Sequence, residues 1–201
     1  MRASLADQVC LDGVASLAIG LGANLPSPAG DPLATLVAVR PRLSQLLVHW
    51  CSGDSGPAQL HWSPLFRTAP VGGPAGQPPY LNAVLLLRAH AVPVCSRAQQ
   101  LLLALQELER CFARERREHW GPRSLDLDLL WWGSLHCECP HLQLPHPLWA
   151  ERSFVLEPLR VINQRLLASA QQPLDWTLPE RTVAAETVPP QPLPACSGWP
   201  E

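Results

Sequence analysis

The chain has 201 residues, 47% of them hydrophobic and only 16% charged, with a net charge of −2 and a pI near 6.4. That length and apolar share suit one packed domain, and the near-neutral balance leaves no electrostatic footprint for nucleic acid or for an anionic membrane. All fifteen basic residues are Arg, which excludes a Walker A lysine and lysine Schiff-base chemistry, so any phosphate must be held by guanidinium forks and metal ions.

Residues 1–14 read as an N-terminal extension, because the first strand-like run begins only at Ser16, and MRASLADQVCLDG, with one Arg and two Asp, lacks the charged-then-apolar order of a secretion signal. Seven Cys without paired spacing and no apolar run long enough to span a bilayer point to a cytosolic, cytoplasmic chain with reduced thiols. The run SLAIGLG from Ser16 predicts the first strand. A helix should start at an Asp31 cap and run through LATLVAV until Pro41 ends or kinks it. LHWSPLFRT reads as a strand interrupted at Pro64, at an edge or bulged, and the Pro- and Gly-filled segment from Ala69 to Pro79 must be a loop.

YLNAVLLLRAH predicts a strong strand. SRAQ at Ser96–Gln99 has the form of a capping box, and Leu101, Leu105, Leu108 and Phe112 then make one helical stripe, leaving Gln106 and Glu109 on another face. An Arg-rich loop, ARERREHWGPR, leads into the strand SLDLDLLWW. From Thr182 the chain turns to Pro and small residues without periodicity, which predicts a disordered or loosely attached tail after a domain covering 15–181. Strand, helix, strand, strand, helix, strand is the order of a ferredoxin-like split βαβ, an α+β fold in which a mainly antiparallel sheet carries helices on one face.

Asp126 and Asp128 share one face of their strand, about 7 Å apart at Cα, with Leu125, Leu127 and Leu129 on the other. An Asp-x-Asp pair alone is ordinary for a solvated strand face, but this pair follows Arg114, Arg116, Arg117, His119 and Arg123. Carboxylates for Mg²⁺ beside guanidinium groups for phosphate are the parts that phosphoryl transfer requires. Tyr80, the only tyrosine, and Asn82 lie on one face of their strand and offer a ring and a two-way amide to a flat heterocycle. Taken alone, that pair is common strand sequence. His146, Arg152 and Phe154 fall in LPHPLWAERSFVLEPL. HCECPH at His136–His141 has zinc-ligand residue types but no second ligand pair of suitable spacing, and a polar hairpin tip is the better reading.

Assembled in order, GLGANL, FRTAPVGGPAGQPPYLNAV, ARERREHWGPRSLDLDLL and LPHPLWAERSFVLEPL resemble the 6-hydroxymethyl-7,8-dihydropterin pyrophosphokinases of the folate pathway, over roughly residues 16–165. The resemblance implies that ATP donates its β,γ-diphosphate to the pterin hydroxymethyl group, with two Mg²⁺ ions on Asp126 and Asp128. It implies phosphate contacts for Arg114, Arg116 and Arg123, helped by His146 and Arg152, and a nucleotide near Gln106 and Glu109. The pterin would stack between Tyr80 and Phe154, with Asn82 and the backbone around Thr68 and Val71 reading its edge and Trp120 closing over the site. ATP and the pterin would be the partners of a monomeric chain. His119, Ala113 and Ala69 depart from the family pattern, which usually has Arg, Gly and Pro there. A nucleotide-sensing module and a Mg-dependent phosphohydrolase are the competing functions.

Overall fold

The computed structural model describes residues 14–115, 120–174, 176–179 and 188–199. Residues 1–13 of the N-terminal extension and the segment that holds Arg116, Arg117 and His119 lie outside the described residues. In chain order the elements are β1 (Ala15–Ala23), α1 (Pro32–Trp50), β2 (Ser55–Trp62), β3 (Phe66–Thr68), β4 (Tyr80–His90), α2 (Cys95–Cys111), β5 (Asp126–Trp132), β6 (Cys137–Cys139), β7 (Leu142–Leu144), α3 (Ser153–Ala168) and β8 (Gln191–Pro192).

The main sheet runs β5-β1-β4-β3-β8, with β2 also paired to β4, and every recorded pairing is antiparallel. Because β1 and β4 are central, both of their faces are packed, and β1 together with the Ala83–Leu87 stretch of β4 is almost entirely apolar or small. Leu17, Ile19 and Leu21 with Leu85 and Leu87 face α1 and α2, while Ala18, Val84 and Leu86 face α3. The two helices therefore cover one face as the sequence predicts, and α3 adds a layer on the other. A bulge where β5 passes Ala18 and Ile19 puts Leu130 and Trp131 together on the α3 side.

Three local expectations are corrected. The α1 helix begins at the Asp31 cap, whose carboxylate accepts the Ala34 N–H, but it continues through Pro41 to Trp50. Leu36, Val39, Leu43 and Leu47 form one fully buried stripe, and four buried side chains at roughly 1.5–3 kcal/mol each outweigh the roughly 3 kcal/mol cost of an interior proline. At α2 the N-cap is Val94 without a side-chain bond, so Ser96 lies within the first turn rather than capping it. The predicted stripe of Leu101, Leu105, Leu108 and Phe112 is buried.

The third correction concerns the tail. Residues 188–199 lie against the domain: β8 pairs with β3, and Trp199 is 6% exposed with its indole N–H donated to the Ser63 carbonyl at 2.9 Å. Its composition hid this because the segment contributes one short edge pairing and one large anchor, neither of which is periodic. His136–His141 forms the expected hairpin, β6 against β7. No helix among the described residues is long and apolar enough to cross a membrane.

Candidate active site

The α3 layer does not reach the end of the sheet where β5 begins. There the face carries Asp126 and Asp128 on β5, opposite Gly22 and Gly20 on β1, and Gly22 is in turn opposite Asn82 on β4. Glycine between the carboxylates and the amide leaves an open floor. A Cβ on Gly22 would stand 2.9 Å from Asn82 Oδ1, so this position has no space for a side chain while Asn82 stays where it is.

One cavity occupies this floor. Its walls include Thr68, Val71, Tyr80, Asn82, Trp120, Arg123, Asp126, Asp128, Arg152 and Phe154, which brings together ten of the residues singled out from the sequence. Asn82 donates to the Thr68 hydroxyl at 2.7 Å, leaving its carbonyl oxygen toward Gly22. Burial pushes the Tyr80 phenol pKa up, and its O–H bonds the Gln77 side-chain oxygen and the Gly121 carbonyl, each at 3.1 Å. Trp120 is 45% exposed and adopts φ +54°. Its ring lies so close to the 72–73 backbone that a Cβ on Gly72 would fall 2.8 Å from Cε3.

The acidic corner is dense with charge. Asp126 pairs with Arg114 at 2.5 Å and with Arg123, while Arg152 approaches Asp128 at 3.7 Å. Desolvation and the neighbouring Asp126 carboxylate push the Asp128 pKa up to about 7, against the opposing pull of Arg152, Arg114 and Arg123. Its side chain is nonetheless 39% exposed, on the cavity side. A carboxylate held toward its protonated form by burial and by a neighbouring carboxylate is relieved by a divalent cation, which Asp128 and Asp126 together could hold.

Glu109 and Gln106 stand differently from the expectation. Gln106 borders a recess shared with Glu109, Arg110 and Arg114, beside the main cavity rather than in it. Glu109 is 3% exposed, accepts the Leu127 N–H at 2.7 Å and pairs with Arg114. His146 is outside the cavity lining; its Nδ1 accepts the Leu148 N–H at 3.1 Å, and burial together with Arg152 lowers its pKa. A neutral imidazole with Nδ1 engaged carries its proton on Nε2.

Two positioning residues escaped the sequence reading. Asn24 accepts the Arg123 N–H at 2.8 Å and donates to the Pro78 carbonyl at 3.1 Å, so it staples the loop before β5 to the loop before β4. Gln77 donates to the carbonyls of Gly72 and Trp120, at 3.2 and 3.1 Å. Asn24 belongs to the quoted GLGANL run, but a partner 99 residues away leaves no local pattern. Gln77 sits in a loop defined only by its Pro and Gly neighbours.

Carboxylates and guanidinium groups at one end of a cavity whose other walls are aromatic fit enzymes that move phosphoryl groups onto a flat acceptor. The model of the 7,8-dihydro-6-hydroxymethylpterin-pyrophosphokinase family matches residues 18–164, and the chain belongs to that family. Among its relatives, a 2-amino-4-hydroxy-6-hydroxymethyldihydropteridine pyrophosphokinase of Pseudomonas aeruginosa is 42% identical over 141 residues, covering 70% of this chain and 76% of the relative. Proteins of the same name from Synechocystis sp. and Haemophilus influenzae are 36% and 33% identical, over 72% and 77% of this chain. The match spans 64% of the Synechocystis protein and 85% of the Haemophilus one.

Proposed function

We propose that this chain transfers the β,γ-diphosphate of ATP to the hydroxymethyl oxygen of 6-hydroxymethyl-7,8-dihydropterin, giving AMP and the pterin diphosphate for folate biosynthesis. The observation that carries this is the shared cavity: Asp126, Asp128, Arg123 and Arg152 line the same space as Tyr80, Asn82 and Phe154. A phosphoryl donor held at the charged end and a ring held at the aromatic end would meet inside it.

Asp126 and Asp128 fit Mg²⁺, since they set carboxylate oxygens side by side on the cavity wall, and a hard cation would relieve the burial and the Asp126 charge that push Asp128 toward its protonated form. Two ions is our assignment; held by Asp126 and Asp128, they would supply positive charge against the phosphates. The protein's own part is placement. Arg123 and Arg152, with Arg114 and Arg116 from the preceding loop, hold phosphate oxygens, and the Nε2–H of His146 adds a neutral donor. Gln106 borders the recess beside Arg114, where it would contact the nucleotide, whereas the buried Glu109 acts through Arg114.

Tyr80 and Phe154 sandwich the pterin, Asn82 reads its amide-like edge, and Thr68 and Val71 bound the recess. Trp120, tied by its carbonyl to Gln77, closes the mouth and limits water, whose attack on ATP is the competing reaction. The nucleophile is the substrate's hydroxyl, and no side chain is required as base beyond alignment and neutralised charge. ATP and the pterin are its partners, and it works as a cytoplasmic monomer.

The test is incubation with ATP, Mg²⁺ and the pterin, with separation of the nucleotides and a pterin-free control. AMP that forms only with pterin is the expected result. ADP with free phosphate would favour a phosphohydrolase, and tight nucleotide binding without turnover would favour a sensing module.

A further inference from the structure

The family match ends at residue 164, yet residues 188–199 are built into the domain next to the cavity wall. Strand β3 is only three residues long and follows a break at Pro64. On one side it pairs with β4, where Thr68 faces Tyr80. On the other side its only strand partner among the described residues is β8, with Phe66 opposite Pro192 and Arg67 opposite Gln191.

The segment is pinned at both ends. Before β3, the Leu193 N–H donates to the Leu65 carbonyl at 2.8 Å. Farther along, Trp199 packs edge-on to Trp62 with ring centroids 5.2 Å apart and donates to Ser63, while Arg40 on α1 donates to the Gly198 carbonyl at 3.1 Å. Gly198 takes φ +85°, and a Cβ there would meet Val37 at 2.6 Å, so the strap lies directly on α1. Ser63, Leu65, Phe66 and Arg67 are thus all held from outside by one stretch of chain. Thr68, which accepts the Asn82 amide at 2.7 Å, is the next residue, and Ala69, Pro70 and Val71 continue along the cavity.

We propose that residues 188–199 are an intramolecular strap that fixes β3 and thereby sets the affinity for the heterocyclic acceptor, with Trp199 as its anchor and a positioning residue. A three-residue strand with one edge open would fray, because its pairing adds little against the entropy of ordering it. Closing that edge keeps the Thr68 hydroxyl under Asn82, so the amide presents one fixed edge to the ring. The charged side chains at the other end of the cavity, Asp126 and Asp128 on β5 and Arg152 just before α3, take part in none of these strap contacts. The effect on the acceptor rests on the function proposed above.

Three full-length variants test this: Trp199→Ala, Trp199→Phe and Gly198→Ala, the last of which lifts the strap by steric pressure on Val37 without removing a core side chain. At saturating ATP, Trp199→Ala is expected to raise the pterin KM five- to tenfold, with the ATP KM and kcat within twofold of wild type. Gly198→Ala should shift it in the same direction, and Trp199→Phe, which keeps a ring but not the N–H, should recover part of the loss. Hydrogen exchange without ligand should accelerate at the Phe66–Thr68 amides and not in β1. Equal rises in both KM values, or a pterin KM unmoved in Trp199→Ala and Gly198→Ala, would overturn the strap. A wild-type chain that forms no AMP with pterin sinks the proposed function instead, whereas normal wild-type turnover with unmoved variants sinks the strap alone.

Discussion

Arg114 Nη1 stands 2.5 Å from Asp126 Oδ1, and the same guanidinium pairs with Glu109 near the end of α2. One cation therefore joins the last turn of a helix to the first residue of β5. Glu109 also takes the Leu127 N–H, so Glu109→Ala leaves a buried donor unmet and removes one of the two carboxylates that Arg114 bridges. We expect it to lose about 3–5 kcal/mol in urea unfolding, and Glu109→Gln, which keeps an acceptor, about 1–3 kcal/mol. Losses below about 1 kcal/mol in both, set against that buried-pair scale, would return Glu109 to a direct nucleotide role.

Asp128 keeps its proton to about pH 7 in the fold, whereas an unfolded aspartate releases it near pH 4, about 3.9 by model peptides. Between those values the folded state binds more protons, so this residue's contribution to stability falls as pH rises and stays at its lowest above about 7. Asp128→Asn should remove that cost. With solvent screening at a partly open side chain the gain is on the order of 1 kcal/mol, or about 2–4 °C in Tm at pH 8, with none at pH 4. Turnover should vanish in this variant and in Asp126→Ala, and near-normal AMP formation in either would defeat the metal assignment.

Gly22 and Gly20 separate two effects that resemble each other in sequence. A methyl at Gly22 meets Asn82 Oδ1 at 2.9 Å, while at Gly20 the nearest atom is Leu130 Cδ2 at 3.6 Å, an ordinary contact. Gly22→Ala is expected to displace Asn82 from Thr68 and cut kcat/KM for the pterin at least about tenfold, the value of one buried hydrogen bond. Gly20→Ala should cost less than threefold. Equal losses would mean that the floor near the carboxylates, and not the amide, limits the acceptor.

Ala113 has φ +57° at the end of α2, the left-handed region that glycine enters freely. A residue with a Cβ therefore holds a conformation that costs glycine nothing. Ala113→Gly relieves about 1–2 kcal/mol of left-handed strain and returns about 0.4–1 kcal/mol through the freer unfolded chain. A net gain of about 0–1.6 kcal/mol in thermal or urea unfolding follows from those two opposing terms. A loss would show that the alanine methyl makes a contact worth more than the strain.

Much of this arrangement was legible before the fold was known. The alternation around Asp126 and Asp128 fixes their common face, and Tyr80 with Asn82 follows the same period-two rule, because strand geometry converts spacing into direction. Gly22 and Asn82 meet across strands, and Asn24 meets Arg123 through a loop; neither has a local signature, since register and loop closure are tertiary outcomes. Pro41 misled because a local backbone cost was visible and the buried stripe that outweighs it required knowing which face of α1 packs. The burial of Glu109 was hidden for a related reason. Helical spacing put it off the leucine stripe, but the backbone of β5 came to cover it.

The site also has an architectural meaning. With α1 and α2 below the sheet and α3 above, the domain is a three-layer stack in which the upper layer stops short, and the cavity is the vacant tile. Arg152 and Phe154, at the leading end of α3, form its threshold. The position at which α3 begins is therefore a ruler for how large an acceptor the fold admits: a helix started one turn earlier would fill the space, and one started later would leave it without its second aromatic wall.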